Sequence, residues 1–437
     1  MKNLEICVAG AGLVGCVIAR LLSDLGYRVS VYEKRGYSTN SGMSNGRSTH
    51  LVVSERGWKV FKSLGIESVV ESNAIKLKGR YIHKKDGSSF LQDYSSTGEC
   101  LSAIHRTKLN EILLNLIKRQ ANISVYFGKG VHDIDFYDNV VYFDTGDQKK
   151  FDLIIGADGS NSVVRNLLVE FGKVQTEEIV EPFSYKEIPI SRMEAQGLDS
   201  ESMHAWPYGG NSFFSFPNMD GSHTGTLISS TRDFESLRKN LQSQVTYFDK
   251  LEFLKEFNES FFTKVLSSKV STLRSIICSR YDYDGKVLLM GDAGHSMLPF
   301  LGQGMNSGLE DCSVFIDKVN RFGIKGAVEQ FTKARKRDLD AVTMMSRDMF
   351  TELTCDLSSP EYIAMKNIEK RCSTLFPNEF QEAYRMIAFS CMPYSDVKTK
   401  INFQNKVVRE FCESNGFRTD YSDSDIVNNL GKVLSEA

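Results

Sequence analysis

The chain has 437 residues, 41% hydrophobic and 25% charged, an ordinary globular composition with room for about two or three domains around large cores. Its 53 Lys and Arg nearly balance 55 Asp and Glu, and no aromatic-studded basic stripe breaks that balance, which excludes the electrostatic footprint of a nucleic-acid binder. The nine cysteines are odd in number, scattered and without a C-x-x-C pair, so free thiols in a reducing cytoplasm are expected.

Residues 4–9 are β-rich, 13–25 have helical apolar spacing and 29–32 are again strand-like, which predicts a βαβ unit. This apolar start is interrupted by glycines and lacks a small-residue cleavage site, so it reads as fold rather than leader. No window reaches the roughly 18 apolar residues of a membrane span, and a soluble protein without a membrane anchor is expected. Residues 38–47, rich in Ser, Gly and Asn, predict a loop; 56–70 and 106–119 predict helices, and 153–155 a strand. Between 178 and 269 short alternating stretches with aromatics, such as 204–216 and 225–229, predict an inserted antiparallel sheet. A buried strand at 287–290 and a glycine-rich turn follow, then helical spacing over 306–320 and 326–353. The expected fold is α/β: a Rossmann-like domain from segments 1–75, 101–177 and 276–325, an inserted sheet domain from 76–100 and 178–275, and a C-terminal helical region over 326–437.

The stretch from Val8 to Gly15 matches G-x-G-x-x-G between strand and helix, with Glu33 at the end of the next strand. Gly10 permits the tight turn, Gly12 lets a pyrophosphate approach the backbone, and Gly15 lets helix and strand pack closely. The helix N-terminus offers free N–H groups to the anion, and Glu33 is suited to a ribose. This motif alone does not separate FAD from NAD. Nothing suggests a metal, since the seven histidines are scattered without H-x-x-x-H, and no G-x-S-x-G elbow supports a hydrolase.

Two later segments carry a resemblance. Asp152 to Ser160, with Asp158-Gly159 followed by Ser162 and Arg165, resembles the Asp-Gly motif of the flavoprotein hydroxylases; Val287 to His295, with Gly291-Asp292 and then Pro299, resembles their second FAD motif. The resemblance implies noncovalent FAD and narrows to the kynurenine 3-monooxygenases. The segments that carry it are Arg47-Ser48, Ser54 to Gly57, Gly79 to His83, Arg106 with Leu109-Asn110, His204 to Pro207, Phe216 to Met219 and Gly302 to Asn306. By it Asp292 bonds the ribityl chain, and Asp158 lies near the cofactor and is associated with NADPH use. Gly10, Gly12, Leu13, Val14, Gly15, Glu33, Lys34, Arg47, Arg106, Gly304, Met305 and Asn306 complete the implied cofactor contacts. Pro299, Phe300, Gly302 and Gln303 would stand beside the flavin, where the following helix N-terminus suits negative charge on the reduced ring.

Arg80 and Tyr94 match the family's substrate-carboxylate contacts and Tyr384 a further polar contact; Arg80 brings the planar donor pair a carboxylate needs. Met349 stands where the family has an asparagine, Leu301 where an aromatic residue is common, and Ser212, Phe214, Phe216 and Ile228 form the implied apolar wall. Met344, Met345 and Met349 are equally compatible with helix core. The resemblance implies a monomeric or homodimeric hydroxylase acting on kynurenine or a related aromatic amino acid or arylamine acid through a flavin hydroperoxide, with NADPH or NADH and O2 as co-substrates. The alternatives are a natural-product hydroxylase with another aromatic substrate, which Met349 favours, and an FAD-binding regulatory protein without turnover.

Overall fold

The computed structural model describes residues 4–37, 50–84, 86–95, 98–208, 210–237, 239–251, 257, 259–354 and 359–435. The chain divides into two compact units. Met1–Ala74, Ile104–Glu181 and Leu273–Arg347 make the first; Ile75–Ala103, Pro182–Thr272 and Asp348–Ala437 make the second. The expected loop over 38–47, with Arg47, lies outside the described residues. Among the described residues no helix is long and apolar enough to cross a membrane.

The first unit is built on a six-stranded sheet in the order Asp282–Tyr283, Val287–Leu289, Leu153–Gly156, Glu5–Ala9, Arg28–Glu33, Ile123–Phe127. All pairings but the one at Asp282–Tyr283 are parallel. Leu153–Gly156 and Val287–Leu289 are buried at every position, the continuous apolar pattern expected of strands covered on both faces. The helix Leu13–Asp24 buries Leu13, Val17, Ile18 and Leu22 at helical spacing. The single helical span expected over 56–70 is two helices, Glu55–Ser63 and Glu67–Glu71, because Gly65 between them takes a left-handed φ of 69°.

A seven-stranded sheet, whose strands lie mainly in the second unit, runs in the order Val270–Cys278, Thr176–Ile190, His223–Ser230, Asn211–Pro217, Ser202–Tyr208, Gly79–His83, Ser89–Asp93. The pairings from Thr176–Ile190 through Ser202–Tyr208 are antiparallel, as is that of Gly79–His83 with Ser89–Asp93, whereas Ser202–Tyr208 pairs with Gly79–His83 in parallel. These two strands are joined by a long stretch of chain rather than a hairpin, and only a tight turn forces neighbours to run antiparallel. A larger difference lies in residues 231–267, inside the span of 178–269 expected to form the sheet, which are found as three helices, Thr231–Ser236, Leu241–Asp249 and Glu259–Ser267. Ser230 and Asn240 cap the first two by accepting from the N–H groups of Asp233 and Ser243. Their aromatics, Phe234, Tyr247 and Phe261, pack with Trp206, Phe213 and Leu227 on one sheet face. The C-terminal region is helical as expected; Pro360–Leu375, Tyr394–Asn415 and Asp423–Ser435 share a core around Ile368, Val408, Phe411 and Ile426.

On the aromatic face of this sheet three histidines follow one another. His83 Nε2 lies 2.9 Å from His204 Nδ1, His204 Nε2 lies 3.1 Å from the Asp199 carbonyl, and Ser215 Oγ lies 2.8 Å from His223 Nδ1. The Asp199 carbonyl only accepts, so His204 carries its proton on Nε2 and receives one from His83. Burial, with His204 as a like-charged neighbour, lowers both His83 and His223 from 6.5 to about 4. Because the folded values lie below the unfolded one, their contribution to stability is complete above pH 6.5 and is lost as pH falls toward 4. Urea unfolding should therefore weaken on acidification between about pH 7 and pH 5, by on the order of 2 kcal/mol per histidine, and a His83→Gln, His223→Gln double variant should show a shallower slope. Equal slopes for wild type and variant would contradict this account.

Candidate active site

The parallel register decides where the motifs of the first unit end up. Ala9 pairs with Gly156, and Gly156 with Leu289, so three strands far apart in sequence finish side by side. Each is followed by one of the predicted loops: Gly10 to Gly15, Ala157 to Gly159, and Met290 to Asp292. The carboxyl edge of an open parallel sheet is where such folds bind ligands.

The three glycines have separable reasons. Gly10 takes φ 100°, and a Cβ there would stand 2.5 Å from the Ala157 carbonyl oxygen; a Cβ on Gly15 would stand 1.9 Å from the Gly10 oxygen. Around Gly12 a Cβ would meet nothing within 4 Å. The protein's own backbone demands the first and third glycines, whereas Gly12 borders open space. Gly12 is also the N-cap of the helix Leu13–Asp24, without a side-chain cap and without an acidic residue in the first turn, so the N–H groups around Leu13 and Val14 remain open to an anion. These residues fit a pyrophosphate.

Glu33 is buried at the end of its strand, with Oε2 accepting from Ala11 N at 3.1 Å and Oε1 from Arg35 Nε at 2.7 Å. Burial pushes its carboxyl up, but the hydrogen bonds from Arg35 and Ala11 outweigh it and hold the group below its ordinary value. Arg35 N and Nη2 donate to it as well, at 3.0 Å to Oε1 and 3.2 Å to Oε2, so a ribose hydroxyl would take the place of a bond from the exposed Arg35 side chain. Lys34 beside it is exposed, and Arg106 is half-buried as the first residue of the helix Arg106–Lys118.

Asp158 Oδ2 caps the helix Val163–Glu170, accepting from Val163 N at 2.7 Å and Val164 N at 3.3 Å. Its Oδ1 is buried without a partner, and burial raises its pKa. An orphaned buried acceptor at this edge fits a donor that arrives with a bound group. Arg165 ties the two Asp loops together, donating to the Ala293 carbonyl at 3.1 Å and the Ser160 carbonyl at 3.0 Å. Asp292 opens the short turn Asp292–His295 and is half-buried. A Cβ on Gly304 would come 4.0 Å from Asp292 Oδ1, so that glycine leaves room beside the carboxylate.

Pro299 and Phe300 lie in a 3-10 turn, Pro299–Leu301, that ends at Gly302 with φ 68°, and the long helical stretch Gly304–Thr354 starts two residues later; it breaks at Gly323, φ 70° and ψ 177°, into the two helices expected over 306–320 and 326–353. Asn306 locks this start in place: Oδ1 accepts from Ser54 N at 3.0 Å, and Nδ2 donates to the carbonyls of Val52 and Gly302 at 2.8 Å each. Gln303 is buried, 3.4 Å from the Ser54 hydroxyl, and Met305 and Leu301 are buried beside it in sequence. Among the described residues no His, Cys, Asp or Glu cluster is arranged to hold a metal.

In the second unit the register places Arg80 opposite Met203 and Gln92, and Phe214 opposite Ala205 and Thr226. Alternation along these strands puts Arg80, Ser212, Phe214, Phe216 and Ile228 on the face opposite Trp206 and Phe213. Arg80 Nε donates to Gln92 Oε1 at 2.6 Å. Tyr94 and Tyr384 stack with ring centroids 5.2 Å apart. Burial lowers the pKa of Arg80, but Tyr362, Glu352, Tyr94 and Tyr384 more than offset it, so the guanidinium stays charged. Burial pushes Tyr384 up to about 12 and Tyr94 further, so both phenols remain protonated donors.

Ser212 donates to the Leu353 carbonyl at 3.1 Å and Ile228 is fully buried, so both serve packing within the unit, while Phe216 and Met349 are half-buried. Sequence reasoning missed Gln92, Glu352, Tyr362 and Lys366. Glu352 Oε1 accepts from the Tyr362 hydroxyl at 2.7 Å, and Lys366 lies 3.7 Å from it. Burial raises the Glu352 pKa, but Lys366 and Arg80 lower it further than burial raises it, leaving a carboxylate. Gln92 was findable by counting across the hairpin from Arg80; Tyr362 and Lys366 share a helix face at i, i+4, but nothing local links them to Arg80.

A Gly12→Val substitution should yield folded protein that purifies without yellow flavin, because its Cβ meets none of the protein's own atoms within 4 Å but fills the space beside the helix end. Full flavin absorbance near 450 nm, on the order of one FAD per chain, would contradict the assigned cradle.

Residues 3–322 match the family described as FAD binding domain. The chain is 30% identical over 450 residues to a kynurenine 3-monooxygenase of Flavobacterium johnsoniae, covering 99% of each chain. It is 30% identical over 418 residues to a kynurenine 3-monooxygenase of Legionella pneumophila, covering 93% of each. Among solved structures, 2-methyl-3-hydroxypyridine-5-carboxylic acid oxygenase superposes with a TM-score of 0.66 at 18% identity, covering 83% of this chain and 96% of that one. The tetracycline destructase Tet(51) superposes with a TM-score of 0.63 at 16% identity, covering 90% and 99%. The chain belongs to the FAD-binding flavoprotein hydroxylases, within the kynurenine 3-monooxygenase family, and is an FAD-dependent aromatic monooxygenase.

Proposed function

We propose that the enzyme hydroxylates the aromatic ring of kynurenine or a closely related aromatic amino acid, with NADPH and O2 as co-substrates. One observation carries the reading: a charged Arg80, flanked by the stacked phenols Tyr94 and Tyr384, shares its surroundings with the ionised carboxylate of Glu352. A guanidinium with two neutral phenol donors suits a substrate carboxylate, and a fixed carboxylate nearby suits an α-ammonium group. The pairing favours a zwitterionic amino acid over a simple aromatic acid, since the latter would add an uncompensated negative charge.

Bound FAD supplies the oxygen chemistry: NADPH provides two electrons, one oxygen atom enters the ring and the other leaves as water. Binding and orientation fall to Arg80, Tyr94 and Tyr384, with Gln92 holding the guanidinium plane through its 2.6 Å hydrogen bond. An amino or hydroxyl substituent on the substrate ring supplies the electron density for attack, which accounts for a site without a dedicated general base. Phe214 and Phe216 contribute an apolar wall that keeps water from the reacting carbon. The scattered cysteines support a cytoplasmic setting. Met349 and Leu301 favour a second reading in which the ring system differs from kynurenine while the amino-acid head is kept.

The test follows NADPH oxidation, oxygen uptake and product mass with kynurenine and its analogues. Arg80→Ala should raise KM for the accepted amino acid by roughly tenfold or more while leaving FAD bound. Glu352→Gln should narrow the preference for kynurenine over its analogue lacking the α-amine. No oxygen insertion into any aromatic amino acid of the panel would overturn the proposal, as would an Arg80→Ala enzyme with unchanged KM.

A further inference from the structure

The turn that carries Asp292 is only four residues long, Asp292–His295, with Gly294 N and His295 N donating to the carbonyl of Gly291 just before it. So short a turn does not hold its own geometry, and Gly291 before it sits at φ 58°. Both ends are gripped from outside by one side chain. Asp311 on the long helix is fully buried; its Oδ2 accepts from Gly291 N at 3.1 Å and lies 2.5 Å from His295 Nε2.

The other oxygen of Asp311 accepts from Arg335 Nε at 2.9 Å. Arg335 continues to Glu310 Oε2 at 2.8 Å and to the Ser307 carbonyl at 3.3 Å, and Glu310 Oε1 lies 3.2 Å from Arg56 Nε on the helix Glu55–Ser63. Burial pushes Asp311 up, but His295 and Arg335 pull it below the ordinary carboxylate range, so it is ionised. A buried ionic chain of this kind is a poor source of stability compared with apolar packing, so its value lies in fixing geometry.

We propose that Asp311 is a positioning residue for FAD, which sets the conformation of residues 291–295 and thereby the direction of the Asp292 carboxylate, with His295 and Arg335 fixing Asp311 in turn. The inference rests on the FAD-binding family alone and is independent of the substrate.

The test strips FAD reversibly from the full-length enzyme and titrates it back, reading the dissociation constant from quenching of flavin fluorescence, beside urea unfolding of each apoprotein. Asp311→Asn leaves one oxygen for donors on two sides, setting its NH2 either against Gly291 N–H and His295 or against Arg335 Nε–H, and should raise the FAD dissociation constant by about tenfold or more. His295→Ala should do the same, and His295→Gln, which keeps a donor toward Asp311, should restore most of the affinity. Asp282→Asn is the control: this buried carboxylate of the same sheet pairs with Arg280 at 2.6 Å, so its loss should lower the urea midpoint and leave FAD affinity unchanged. Asp311→Asn binding FAD within about twofold of wild type would overturn the proposal, and so would an equal loss of affinity in Asp282→Asn, which would mark a general effect of destabilisation. Should Asp311→Asn not fold, the His295 pair decides: unchanged affinity in His295→Ala, or no recovery in His295→Gln, also overturns it.

Discussion

The pairing of Ala9 with Gly156 and of Gly156 with Leu289 is the constraint on which the cofactor site depends. Parallel strands bring their carboxyl ends to one edge only if the register is right, and here a one-residue slip would move every side chain of a strand to the opposite face. Three loops separated by most of the first unit's sequence thus meet without any contact between their side chains being needed to assemble them. Arg165 then ties two of the loops through their carbonyls, and the long helix ties itself to residues 52–54 through Asn306. The glycines follow as consequences: Gly57 lies where a Cβ would stand 2.5 Å from Asn306 Oδ1, and Gly291 where one would stand 2.8 Å from Val14 Cγ2.

The two units solve different electrostatic problems. At the first helix the anion site is made by backbone N–H groups and an uncapped helix end, with no cationic side chain in the opening turn. Such donors cost little reorganisation and lose little when the ligand is absent, because water satisfies them. Around Arg80 the charges are side chains, and each is expensive to bury unless a partner is fixed near it. Gln92 and Glu352 provide those partners, and Lys366 in turn balances Glu352, at 2.9 Å from Glu369 as well.

What was legible in the sequence follows this division. The cradle residues Gly10, Gly12 and Gly15, and the strands ending at Asp158 and Asp292, were readable because their roles arise from local backbone geometry and continuous apolar runs. The helices between 231 and 267 were not, because Phe234, Tyr247, Phe248 and Phe261 resemble strand residues by type, and only the caps at Ser230 and Asn240 mark the change of period. Arg80, Tyr94 and Tyr384 were named by resemblance to a family, whereas Glu352, Tyr362 and Lys366 have neither a motif nor a local spacing that points to Arg80. Their proximity is made by tertiary packing of the helix Pro360–Leu375 and the end of the long helix, which no local pattern encodes.

That dependence on packing makes the proposed specificity residues easier to replace than the cofactor cradle. A substitution at Gly10 or Gly15 meets backbone atoms that have nowhere to go, so the cradle tolerates almost no variation. Met349, by contrast, sits half-buried near the end of a helix, on the same turn as Glu352, and its replacement alters one contact without disturbing the register of any strand. On the proposed reading the arginine and the carboxylate would fix which head group is held, because removing either leaves the other charged and poorly compensated. The wall of Phe214 and Phe216 imposes a softer requirement, since apolar contacts discriminate between ring systems by only about 1–3 kcal/mol for each methylene-sized difference. Under the proposed function the amino-acid head is therefore the stricter demand on the site, and the identity of the ring the looser one.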